Sequence, residues 1–128
     1  ETPIGGQYMT LRITADRLRA THGNGNLQGT TTLTDGQWHH VAVTVMSGAN
    51  LRVPQTVLYV DGMADGTAGG SDNLFNITAE ADGNIGRRAS HEDRIFAGSL
   101  DELRIYDYAL SAEEVAWLAG RTQPFDRP

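Results

Sequence analysis

The side chains with most chemistry to offer in this 128-residue chain are its four histidines, its sixteen aspartates and glutamates and a scatter of asparagines, because cysteine is absent. Without thiols there is no disulfide framework, no thiolate metal site and no thiolate nucleophile. His39 and His40 form the obvious metal pair. Neighbours on a strand point to opposite faces, so two adjacent imidazoles reach one ion only if the chain bulges. Packing or hydrogen bonding near the start of a strand is the expected role for His40 and for Trp38. His22, Asn24, Asn26, Asp72, Asn73, His91 and Asp93 fall in stretches that read as loops. Imidazole, amide and carboxylate groups at a rim, beside an open ring face from Tyr8 or Tyr59, are equipment for holding a sugar, through hydrogen bonds to hydroxyls and stacking on the ring. Taken singly, each is more simply a solvated turn residue.

Hydrolytic chemistry on a glycosidic bond needs two carboxylates about 5 to 9.5 Å apart in a cleft. Asp101 and Glu102 are neighbours that face opposite ways on a strand, and His91-Glu92-Asp93 has no interleaved apolar residue to hold it in a groove. Ser111 is taken up as a helix cap. A non-catalytic protein is therefore expected.

Short strands must position these groups. Thr10 to Thr14 and Leu18 to Thr21 alternate with the period of two that marks a half-buried strand, with a hairpin turn at Ala15-Asp16-Arg17. His22 to Asn26 reads as an exposed loop and Thr30 to Leu33 as a further strand. From Trp38 to Val45 the period is again two, with Val41, Val43 and Val45 as the uniformly apolar face. Val57 to Val60 follows, closed by Asp61-Gly62, a preferred pair for a tight hairpin. A glycine-rich loop from Met63 to Ser71 leads to weaker strands around Leu74 to Thr78, Gly83 to Gly86, Arg94 to Ala97 and Leu100 to Tyr106. Eight or nine short strands so punctuated predict an all-β, antiparallel two-sheet sandwich. One helix closes the chain. Ser111 as N-cap, Glu114 three residues on, and Leu110 with Val115 as a staple start it at Ala112, and Gly120 ends it.

Ten basic against sixteen acidic residues give a net charge of −6, which disfavours nucleic acid or an anionic membrane as partner. All ten basic residues are arginines, scattered without a patch. No apolar run approaches the roughly 20 residues of a membrane span, and no signal peptide is visible. Residues 1–120 read as one domain and 121–128 as a linker or tail, so a segment of a longer protein is expected. Asn76-Ile77-Thr78 has the form of a glycosylation sequon.

Four blocks, Asp35 to Thr44, Leu58 to Gly62, Ile85 to Arg87 and Phe96 to Val115, resemble in order and spacing the second half of the concanavalin A-like, laminin G-type jelly rolls. The resemblance runs from about Gln7 to Leu118. It implies a jelly-roll sandwich and a binding or adhesion module of a larger extracytoplasmic protein, extracellular, periplasmic or at the surface of a bacterial cell, with a glycan as ligand. The alternatives are an assembly module that contacts protein and, more remotely, a carbohydrate-active enzyme, although the Glu-x-Asp-x-x-Glu strand of the superfamily's glycosidases is missing. The resemblance also implies one structural calcium ion held by Asp101, with backbone carbonyls from an amino-terminal segment. Such sites take six to eight oxygens. Relatives carry roughly a further third of a domain before the position of Gln7, which supplies opening strands to both sheets. The corresponding expectation is a chain whose open edges associate with other domains or chains through backbone hydrogen bonds.

Overall fold

The computed structural model describes residues 9–22, 25–45, 56–70, 84–88 and 91–120, with the backbone alone for 22, 25, 67–70, 88 and 91–94. Strands β1 (Met9–Thr14), β2 (Arg17–His22), β3 (Gly25–Gln28) and β7 (Thr67–Gly70) form an antiparallel sheet in the order β1-β2-β3-β7. A second sheet joins β4 (Val41–Val45), β5 (Thr56–Val60) and β6 (Met63–Ala64), and β8 (Arg87–Arg88) pairs with β9 (His91–Ile95) in a separate ribbon. Helix α1 (Ala112–Leu118) comes last.

The alternation in the sequence becomes the core. Leu18, Ala20 and Leu27 from the four-stranded sheet meet Leu58 and Val60 from the three-stranded one, with Leu33 closing the cluster and Met9 and Val43 packed against it. The tight turns that set the registers lie at two-residue corners. Ala15 and Asp16 both adopt positive φ between Thr14 and Arg17, and Asp61 and Gly62 do the same between Val60 and Met63. This is the mirror-image turn whose twist suits paired strands.

Several expected boundaries move, each for a local reason. His22, Gly25 and Asn26 belong to the paired strands β2 and β3 rather than to an open loop, since His22 pairs with Gly25 and Thr21 with Asn26, while Gly23 and Asn24 lie outside the described residues. Thr30 to Leu33 is not a strand, because Thr30 and Thr31 spend their backbone N–H groups and hydroxyls on the Asp65 carboxylate. Met63 to Gly70 is no loop: it forms β6, crosses between sheets at Asp65-Gly66, and forms β7. Strand β4 starts at Val41, three residues later than the period suggested, because the Asp61 side chain takes the N–H of His40. Likewise Asn84 to Gly86 precedes the short strand β8 rather than forming one, and β9 begins at His91 and stops at Ile95. Leu74 to Thr78 and Gly83 lie outside the described residues. Leu100 to Tyr106 is not a strand, and no backbone pairing partner for it is found among the described residues.

The helix forms as its sequence requires. Ser111 Oγ accepts from the Glu114 N–H at 3.1 Å, and a Glu114 carboxylate oxygen accepts from the Ser111 N–H at 3.0 Å, so two otherwise unpaired donors are satisfied reciprocally. Val115 is fully buried, and Gly120 takes a φ of 83° just past the end.

Candidate functional site

Two polar centres stand out, and neither follows from the residue types alone. The first lies at the crossover. Asp65 is 7% exposed and accepts four close hydrogen bonds: Thr30 N (3.1 Å), Thr30 Oγ1 (2.9 Å), Thr31 N (3.2 Å) and Thr31 Oγ1 (2.7 Å). Its own N–H donates to Leu58 O at 2.8 Å. Burial by itself raises the carboxyl pKa, but the threonine donors outweigh it and hold the group below its ordinary value. Gly66, at φ 104°, follows because a Cβ there would collide with the Gln28 carbonyl. This centre is a brace, saturated by its own protein.

The second centre stands at the entry to β4. His39 Nδ1 lies 2.8 Å from Asp61 Oδ2, and His39 Nε2 lies 2.9 Å from Asp35 Oδ1. Asp35 Oδ1 also accepts from the Gln37 N–H at 3.0 Å, across a turn in which Gly36 has φ 80°. Asp61 is tied to the next residue as well: its Oδ1 accepts from His40 N at 3.0 Å, and its N–H donates to His40 O at 2.7 Å. Hydrogen bonds from Asp61 first, and then Asp35, raise the His39 pKa above its usual value against a small opposing effect of burial, while His39 and Gln37 lower that of Asp35. The adjacent histidine goes the other way. Burial, reinforced by Arg104 and opposed by Asp61, lowers the pKa of His40, whose Nδ1 is buried without a hydrogen-bond partner among the described residues.

The sequence's candidate ligand residues fall in several places. Gly25 pairs with His22 on one side and with Gly70 on the other, so the end of β2, the start of β3 and the end of β7 share one end of the four-stranded sheet. Asn26 lies in β3, where its amide oxygen accepts from Thr21 Oγ1 at 2.9 Å and Arg19 Nε at 3.3 Å. Tyr59 is 7% exposed, on the face of β5 opposite to Leu58 and Val60, and offers no open ring face. His91 and Asp93 belong to strand β9, not to a loop. Tyr8, Asn24, Asp72 and Asn73 lie outside the described residues.

Asp101 is exposed, and its Oδ1 accepts from the Glu102 N–H at 2.8 Å. No cluster of three or more histidine, aspartate or glutamate side chains able to hold a metal ion is found among the described residues. Calcium takes six to eight oxygen ligands, of which the Asp101 carboxylate would supply a part.

Trp38 corrects the expectation of a packed ring, since 69% of it is exposed. The stretch from Ile95 to Tyr108 is likewise open. Leu103 is 64% and Ile105 89% exposed, and Leu100 and Tyr108 are also exposed. Arg104 pairs with Glu102 at 3.1 Å, and Tyr106 meets Tyr108 edge to face at 5.9 Å.

Sheets, crossover and capped helix together define an all-β sandwich of jelly-roll type. A profile of the concanavalin A-like lectin/glucanases superfamily, the laminin G type, matches residues 3–116, and the chain belongs to that superfamily. The chain is also similar to the crystal structure of an S-layer domain-containing protein (residues 221–444) from Clostridium thermocellum ATCC 27405, at 26% identity and a TM-score of 0.51. That likeness covers 88% of this chain and 56% of the other, so the chain spans little more than half of the structure it matches. No curated protein matched. The superfamily and this neighbour support a binding or adhesion module.

Proposed function

We propose that this domain is a non-catalytic module of a larger bacterial cell-surface protein and that its ligand is a glycan. The observation that carries the reading is the shared sheet end, where the His22–Gly25 pair lies beside Gly70. In sequence, Asn24 lies between His22 and Gly25, and Asp72 and Asn73 follow Gly70. The S-layer domain-containing neighbour supports a surface location. Against catalysis, Asp65 has its acceptor sites filled by threonines, and one imidazole lies between Asp35 and Asp61, where a glycosidase needs room for sugar or water. Calcium belongs to the same proposal, with Asp101 as the ligand.

Glycan-array binding tests the reading. Asn24→Ala and Asp72→Ala are expected to weaken the best signal at least tenfold with the melting temperature unchanged. Absence of any glycan signal, or release of reducing sugar abolished by a carboxylate substitution, contradicts it.

A second reading is favoured by the open stretch around Leu103 and Ile105, whose alternation with Glu102 and Arg104 has the period of a strand. It is an assembly module in which this stretch accepts a strand from elsewhere in the larger protein. The neighbouring structure, 56% of which is matched, has room for such a segment. Sedimentation at low micromolar concentration tests it: self-association of the isolated chain supports the reading, and a monodisperse monomer with a sharp melt opposes it.

A further inference from the structure

His39 touches a carboxylate oxygen with each ring nitrogen, at 2.8 and 2.9 Å. An ionised carboxylate only accepts, so each contact requires an N–H, and both together require the imidazolium; a neutral ring has one N–H and one lone pair. Once the proton leaves, one of the two contacts sets lone pair against lone pair. The two arms are unequally fixed. Asp61 keeps two further bonds to His40, through its Oδ1 and its own N–H. The other bond of Asp35 is to Gln37, within its own turn, and moves with it.

We propose that Asp35, His39 and Asp61 form a proton-dependent clasp, closed when His39 is charged, that ties the segment carrying the exposed Trp38 to the turn between β5 and β6. Among the described residues, the charged and titratable groups around it are Asp35 from the preceding loop, Asp61 from the hairpin turn, His40 at the entry to β4, and Arg104 from the stretch after β9, which acts on His40. The sign follows from the shifts. The raised His39 pKa means that its contribution is complete below about 6.5, the ordinary histidine value, and is lost as pH rises through the higher folded value. The lowered Asp35 pKa means that its share is lost at the acid end, as pH falls below its ordinary 3.8. The clasp is thus closed in mildly acid solution, and on the alkaline side the Asp35 arm opens first and takes Trp38 with it.

The chain has two tryptophans, so Trp117→Phe leaves Trp38 as the sole indole reporter. Its fluorescence, followed from pH 4 to 9, is expected to show a transition with its midpoint above 6.5, moved down by Asp35→Asn and removed by His39→Gln. Nuclear magnetic resonance of the His39 ring in the unmodified chain reads the same proton without any substitution. A His39 midpoint at or below 6.5, a flat Trp38 signal, or a transition that survives His39→Gln overturns the proposal.

Discussion

The two-sheet body and the stretch from Ile95 to Tyr108 solve the same problem in opposite ways. In the body, apolar residues at alternate positions face each other across the sandwich, and the one buried carboxylate at the crossover has donors on both oxygens. In the stretch, Leu100, Leu103, Ile105 and Tyr108 are exposed while Glu102 and Arg104 satisfy each other. The first arrangement is complete within the described residues; the second has the composition of an interior and the position of a surface. Large apolar residues gathered in the open mark contact sites more often than they mark nothing. The interior of the body carries stability and the open stretch does not, so substitutions in the two should act on different observables.

The largest effect belongs to the core. Leu58, 1% exposed, is expected to cost about 2–5 kcal/mol as Leu58→Ala, and a urea midpoint close to that of the parent would show that the two sheets do not share it. Next comes the brace. Asp65→Asn leaves hydroxyl and amide donors competing for a weaker acceptor, a loss of about 1–3 kcal/mol by the usual cost of buried groups left unpaired. Because the folded Asp65 pKa is lowered, its contribution holds above 3.8 and fades as pH falls below it. Melting curves from pH 2 to 7 should lose part of their acid slope in Asp65→Asn, and an unaltered slope would assign it elsewhere. Ser111→Ala should cost about 1 kcal/mol, the common worth of an N-cap, visible as a lower denaturation midpoint if the helix starts where the capping box places it. The smallest effect on stability is expected from Ile105→Ser with Leu103→Ser, within about 0.5 kcal/mol as for other surface changes. That pair should instead disperse any self-associated species in sedimentation, and a large destabilisation would erase the contrast between the regions. Calcium sharpens the same contrast: a rise in melting temperature on calcium addition that is lost in Asp101→Asn would give the open stretch an ion of its own, and no rise, or one that persists, removes Asp101 from that role.

Local chemistry was the part of the molecule legible in the sequence. The Asp61-Gly62 corner, the β1–β2 hairpin and the capped helix are written in short-range preferences, in which residues within four positions decide the outcome. What the sequence did not disclose depends on partners far apart in the chain. Thr30 and Thr31 look like strand residues until Asp65, more than thirty positions on, claims their donors. His39 reads as one of two adjacent imidazoles facing opposite ways, without a partner of its own, until the β4–β5 register brings Asp61 alongside it. Its other partner, Asp35, stands four residues before it and was the one available signal. The polar candidate residues read as loop residues, but strand pairing draws His22 and Asn26 into β2 and β3, and the ring of Tyr59, read as a stacking face, is buried.

The proposal that the domain binds a glycan at one end of its four-stranded sheet, and leaves it intact, is tested most directly by titrating the isotopically labelled domain with an array-selected oligosaccharide while its amide resonances are recorded. Shifts confined to the β2–β3 turn, the end of β7 and the residues that follow it, with the sugar unchanged at the end of the titration, are the predicted result. Shifts centred elsewhere, no shifts at all, or cleaved sugar in the tube would contradict it.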